Sequence, residues 1–150
     1  LHPRFISKKE LGRGFPCASL VLRKAGSALI DRKNPAQAIS EIQRCAALVE
    51  CQNAAVVIFP EGSRSKDGRL RPFKRGGVEA LLKAMPNASV ALVGIRGSAY
   101  VVSKSFMPIP MGGCIELGVL RILARSNLPA IEELLSMATE DIQAFVNAPM

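Results

Sequence analysis

The sequence predicts an α/β fold: a mixed, largely parallel sheet flanked by helices on both faces. Two observations carry this. Ala54–Phe59 is an unbroken apolar run of strand length and Ser89–Ile95 is apolar after its first residue, the pattern of strands buried on both faces. Around them lie segments whose apolar residues recur at three- and four-residue steps, the spacing of amphipathic helices. Strands alternating with helices in this way form a sheet covered by helices. At 150 residues the chain is long enough for one domain with a core of its own.

The elements follow in order. Phe5-Ile6-Ser7 reads as the end of a strand. Pro16 to Lys24 has helical spacing and stops at Gly26, a residue suited to the left-handed turn that ends a helix. Ser27 to Asp31 is a short strand. Asn34-Pro35 is a helix start, with Asn as cap and Pro in the first turn. Ile39, Ile42, Ala46 and Val49 then mark a helix running to about Glu50. After the strand Ala54–Phe59, Pro60 to Lys74 is polar and basic, with a turn at Asp67-Gly68. Gly76 to Met85 is a helix halted by Pro86, and Ser89–Ile95 a second apolar strand. Met107 to Gly113 reads as loop and Cys114 to Val119 as strand. Pro129 to Val146 is an amphipathic helix with Ile131, Leu134, Leu135, Ala138, Ile142 and Phe145 on one side. No apolar run approaches the length of a membrane-spanning helix. The sequence begins at Leu1 with almost no lead-in to its first strand, so it reads as a piece of something longer on the N-terminal side.

The net charge of +8 is unevenly spread. Residues 1–33 hold eight Lys/Arg and two acids, and residues 61–75 hold six and two. Residues 131–150 hold four acids and no base. Local cationic excess attracts anions: nucleic acid, an anionic membrane surface or a phosphorylated substrate. Stacking platforms for nucleic acid are scarce, with one Tyr, no Trp and 5% aromatic residues, and this weighs against that partner. Cys17, Cys45, Cys51 and Cys114 form no Cys-x-x-Cys pair and the one histidine is His2, so neither a zinc site nor another metal cofactor is expected. Cys45 falls on the apolar side of its helix as a core residue, and a reducing compartment is the expectation.

The chemistry concentrates after the strand Ala54–Phe59, because ligands of such sheets sit beyond the carboxyl ends of strands. Glu61 falls at the sheet's rim. Gly62 allows close approach of backbone to a ligand. Ser63 offers a hydroxyl, and Arg64 a fork of donors suited to phosphate. Lys74 and Arg75 precede a helix whose N-terminus itself favours anions. Together these residues make a phosphate cradle.

These residues also carry a resemblance. Phe59-Pro60-Glu61-Gly62-Ser63-Arg64-Ser65, with Asp67-Gly68 and Pro72-Phe73-Lys74, resembles the third block of the glycerolipid acyltransferases, the family of 1-acyl-sn-glycerol-3-phosphate acyltransferases. Phe5-Ile6-Ser7-Lys8-Lys9-Glu10-Leu11 resembles that family's Lys-x-Glu-Leu stretch. Gly26 to Arg32 is similar to its second block and Val90 to Gly97 to its fourth, so the likeness covers residues 4–98 in order. Two features depart from the pattern. Leu92 stands where the fourth block usually has proline. His2 is followed five residues later by Ser7, so it is not the histidine of the family's His-x-x-x-x-Asp block, whose place would be before Leu1.

The resemblance implies the fold of a single acyltransferase domain and a reaction. A His oriented by an Asp takes the proton from the sn-2 hydroxyl of lysophosphatidic acid, and the alkoxide attacks the thioester of acyl-CoA or acyl-carrier protein. No other cofactor enters. Neither member of that dyad lies in these residues; what they would hold is the phosphate site. The resemblance assigns Arg32, Arg64 and Lys8 to the substrate phosphate, with Lys74 behind them, while Glu61 and Gly62 shape the glycerol-binding rim and Ser63 is a further substrate-binding residue. It further implies work on the cytoplasmic face of a membrane, peripherally or through an anchor outside these residues. Plainer roles stay open: Glu61 pairing with Arg64 or Arg75 to order the loop, and Arg32 and Lys8 as solvated surface. A non-catalytic binder of lipid phosphate on the same fold is the alternative to an enzyme. The acidic polar face of Pro129–Val146 argues for packing on the sheet and against contact with anionic lipid.

Overall fold

The computed structural model describes residues 3–13, 16–63, 65, 68–99 and 113–148. The chain divides into two compact units. The first comprises Leu1–Pro60 and Lys74–Ala88, the second Glu61–Phe73 and Ser89–Met150.

The first unit is built on three parallel strands, β1 (Arg4–Lys8), β2 (Ala28–Ile30) and β3 (Val56–Val57), in the order β2-β1-β3. Ile6 pairs with Ala28 and Lys8 with Ile30, while Arg4 pairs with Val56. Helix α1 (Pro16–Lys24) joins β1 to β2 and α2 (Pro35–Cys51) joins β2 to β3. The end of α1 is marked by Gly26 at φ +70°, as its sequence position predicts. The start of α2 is capped by the Asn34 side chain, which accepts from the backbone N–H of Gln37 at 3.1 Å. Ile42, Cys45, Ala46 and Val49 of α2 are buried with Ala28, and with Leu81 and Met85 from α3 (Arg75–Ala84) and its end. Ile6, Ile30, Val56 and Ile58 pack against that cluster from the strands.

Arg4 locks the amino end of this sheet. It is buried, its Nε donates to the carbonyl of Ala25 just past α1 at 2.6 Å, and its Nη2 donates to the side chain of Gln52 at the end of α2. The guanidinium there bonds a carbonyl just past α1 and a side-chain oxygen just past α2, at helix ends where a cation is favoured.

The second unit pairs β4 (Val90–Arg96) antiparallel with β5 (Glu116–Leu123) under α4 (Ile131–Asn147). Gly94 faces Gly118 across the ladder, and the ring of Phe145 lies on both. A Cβ added at Gly94 would come within 2.5 Å of that ring, and one at Gly118 within 2.8 Å. Leu134 and Ala138 of α4 are buried. Arg96 binds the Glu116 carboxylate from Nε and Nη2 at 2.9 and 2.6 Å, donates to the Ala148 carbonyl at 2.8 Å, and stacks over Phe145.

Three sequence expectations are corrected. Ala54–Phe59 is not a strand buried on both faces. Its paired part is Val56–Val57, at the edge of a three-stranded sheet, and Phe59 is 53% exposed. The apolar strand at Ser89–Ile95 does not share a sheet with β2 and β3. It pairs with β5, and its burial alternates, with Leu92 and Gly94 inward and Ala91 and Val93 exposed. Apolar composition alone cannot distinguish a two-sided strand from one whose outer face happens to be apolar. The strand expected at Cys114–Val119 begins at Glu116 and runs on to Leu123. Asp67 and residues 107–112, read as turn and loop, lie outside the described residues.

Candidate functional site

Because β1, β2 and β3 run in parallel, their carboxyl ends share one edge of the sheet. Lys8 closes β1 there. Arg32 follows two residues after the end of β2, in a turn. After β3 the chain reaches Pro60, whose carbonyl accepts from the backbone N–H of Lys74 at 2.8 Å, so Lys74 returns to the same edge. Three of the sequence-predicted cations therefore stand at one edge of the first unit, all exposed.

Their electrostatic situations differ. Lys8 sits 3.5 Å from Glu10. Its neighbour Lys9 donates to Asp31 at 2.6 Å, and that bond, with the backbone N–H of Lys33, holds the Asp31 carboxyl below its usual pKa. Asp31 is thus occupied by Lys9, and the side chains of Arg32 and Lys74 make no hydrogen bond or ion pair among the described residues. An edge with unneutralised cations in water is suited to a phosphate monoester, which accepts several charge-assisted hydrogen bonds.

Glu61, Gly62 and Ser63 belong to the second unit. Gly62 has φ +67°, a conformation costly to a residue with a Cβ. The Glu61 carboxylate accepts from the backbone N–H of Arg71 at 2.9 Å, and the Ser63 hydroxyl accepts from the Arg71 guanidinium at 2.6 Å. Arg71 is the residue sequence reasoning missed: it looked like one more solvated charge in a basic loop. Arg75, named with Arg64 as a plainer partner for Glu61, binds Glu79 at 2.8 Å. Arg64 lies outside the described residues, as does His2. Among the described residues no cluster of His, Cys, Asp and Glu side chains could hold a metal ion. Among them, too, no helix is long and apolar enough to cross a membrane.

The family model described as Acyltransferase matches residues 1–106, which span the carboxyl edge and the whole Glu61–Phe73 excursion. The chain belongs to the acyltransferase family. Over 107 residues it is 41% identical to the 1-acyl-sn-glycerol-3-phosphate acyltransferase of Cocos nucifera, covering 71% of this chain and 34% of that relative. The enzyme of the same name from Limnanthes douglasii is 37% identical over 107 residues, covering 71% and 38%. The alpha form from Homo sapiens is 37% identical over 95 residues, covering 63% and 32%. The chain therefore spans about a third of the length of the curated relatives it matches. No solved structure matches it. Within this family member the match includes Lys8, Arg32, Arg71 and Lys74, whereas β5 and α4 fall beyond it.

Proposed function

We propose that the protein is an O-acyltransferase of phospholipid biosynthesis. It moves an acyl chain from acyl-CoA or acyl-carrier protein to the sn-2 hydroxyl of lysophosphatidic acid, giving phosphatidic acid. The names of the relatives support the acceptor. The observation that carries the reading is the set of cations at the carboxyl edge, Lys8, Arg32 and Lys74. Arg32, Lys8 and Arg64 take the acceptor's phosphate, with Lys74 in support; Glu61 and Gly62 form the rim against the glycerol, and Ser63 offers the substrate its hydroxyl. A general base removes the sn-2 hydroxyl proton, the oxygen attacks the thioester carbonyl, and the carbon–sulfur bond breaks to release the thiol. No His-x-x-x-x-Asp occurs within residues 1–150, so on this reading these residues alone hold the acceptor without turning it over. The setting is a membrane surface on its cytoplasmic face, where the acceptor resides.

The test is Arg64→Ala in the full-length protein. Losing one charge-assisted contact, worth about 1.5–3 kcal/mol, raises the KM for lysophosphatidic acid by roughly 10- to 100-fold. The donor KM stays unchanged, because the thioester carries its own phosphates elsewhere. Arg64→Lys recovers part of the loss, since an ammonium lacks the bidentate fork. Equal shifts for donor and acceptor, with a fall in Tm, assign Arg64 to loop structure instead. Phosphate-dependent acceptor binding by the full-length protein without any turnover would favour a non-catalytic binder.

A further inference from the structure

Helix α1 turns two large apolar residues outward. Its inward residues are Ser19 and Leu22, 6% and 9% exposed. Its outward stripe is Cys17, Leu20, Val21 and Lys24, at the three- and four-residue steps of one helix face. Leu20 is 54% and Val21 61% exposed. Leu11, on the 3-10 turn Lys9–Gly12 that packs against α1, is exposed as well. Single exposed apolar residues are ordinary, but adjacent ones on a stripe are not. The charges from Leu11 to Ile30 are of one sign, and the exposed Glu10 beside Leu11 pairs with Lys8 at 3.5 Å. Between Leu11 and Ile30 the chain carries Arg13, Arg23 and Lys24 and no acidic residue. All three cations are exposed.

We propose that the outward face of α1 docks on an anionic lipid bilayer, with Leu20 and Val21 entering the headgroup boundary and Arg13, Arg23 and Lys24 meeting lipid phosphates. An apolar face rimmed mainly by cations is what such a surface selects: apolar burial and attraction to anionic lipid reinforce each other. Long basic side chains at its border keep their charge at headgroup level while their stems lie along apolar surface. The second exposed apolar face, with Val93, Leu117, Val119 and Ile122 on β4 and β5, has acids bonded to its bordering cations, Glu116 to Arg96 and Asp141 to Arg121. The proposal rests on the acyltransferase reading for its setting, since that acceptor is a membrane lipid, and it names the surface that meets the membrane.

The chain has no Trp, so one introduced indole reports its own surroundings. Leu20→Trp and Ile122→Trp are prepared separately and titrated with vesicles of phosphatidylcholine, and of phosphatidylcholine with phosphatidylglycerol. The expected result is a blue shift for Leu20→Trp with the anionic vesicles only, and none for Ile122→Trp. The doubles Leu20→Ser/Val21→Ser and Arg23→Gln/Lys24→Gln each weaken co-sedimentation with anionic vesicles by roughly tenfold or more. These positions are exposed, so the core is untouched, and circular dichroism checks the fold. A shift at position 122 without one at 20, or wild-type sedimentation of the Ser double, overturns the proposal. So does a concentration-dependent dimer, abolished by the Ser double, in a chain that ignores vesicles. Binding of a water-soluble short-chain lysophosphatidic acid, measured by calorimetry without vesicles, reports the phosphate site separately. Its loss with docking intact counts against the proposed acceptor and leaves the docking face standing. The Ser double is expected to bind that soluble acceptor as the wild type does.

Discussion

The Arg71 guanidinium donates to the Ser63 hydroxyl at 2.6 Å, and the backbone N–H of the same residue holds the Glu61 carboxylate at 2.9 Å. One residue thereby sets two others in the loop that follows β3. Arg71→Ala keeps the backbone contact and removes the guanidinium. The net worth of such a bond is about 0.5–1.5 kcal/mol, so the acceptor KM of the full-length protein should rise by up to roughly tenfold, with the donor KM unmoved. Arg71→Lys should restore part of it. Steady-state kinetics with each substrate varied in turn decides this; a shift in both constants, or in neither, assigns Arg71 no positioning role.

Phe145 lies across the Gly94–Gly118 pair. Gly94→Ala puts a methyl group within 2.5 Å of that ring, an overpacking expected to cost about 1–3 kcal/mol. Phe145→Leu removes the obstacle at its own cost in buried area. In a double-mutant cycle by urea denaturation the two losses should be less than additive, because the sites share one contact. Strict additivity would place the ring elsewhere.

Cys45 is fully buried, and burial raises the pKa of its thiol, whereas Cys17, Cys51 and Cys114 are exposed. A thiol reagent applied to the native chain should label those three and spare Cys45 until denaturant is added. Mass spectrometry of digested, labelled protein distinguishes the sites. Rapid native labelling at Cys45 would contradict the packing of α2.

Glu79 on α3 is bonded by Arg75 and by Lys83, both at 2.8 Å, and its pKa falls to about 2, chiefly through the bond from Arg75. The folded value lies below the unfolded one near 4.3. The contribution to stability is therefore fully present above about pH 4.5 and is lost as pH falls toward 2. Glu79→Gln should lower Tm slightly at pH 6 and make no difference near pH 2. A carboxyl-carbon NMR titration should place the Glu79 midpoint well below that of the other exposed glutamates, and a midpoint at the ordinary value would show that the pair of bonds does not persist in solution.

Much of the local structure was legible because it is written in neighbouring residues. Asn34-Pro35 specified a cap, Gly26 a helix end, and the spacing of Ile42, Ala46 and Val49 an inward face. Strand partnership was not legible, since β4 and β3 are both short apolar runs and only tertiary pairing assigns one to β5 and the other to β1. At the candidate site, Lys8 and Arg32 were suggested by the family resemblance and Lys74 by its place before a helix. Arg71 was not, because its role depends on a chain reversal that brings it back to Glu61 and Ser63, and nothing in its own neighbourhood marks it. The outward apolar stripe of α1 was hidden for a related reason: periodicity shows that a helix has a face but not which way it points.

The bond between the Pro60 carbonyl and the Lys74 N–H closes the base of everything between Glu61 and Phe73. A loop pinned at its neck can vary in length and content while the parallel sheet that carries it stays as it is. Doubling such a loop adds only about 0.6 kcal/mol of closure entropy. The content of that loop and the stability of the first unit are thereby placed on separate stretches of chain. Duplicated genes could diversify the first by insertion or replacement between those two residues, and a chimera exchanging only residues 61–73 between relatives should inherit its donor parent's acceptor preference along with the recipient's folding behaviour.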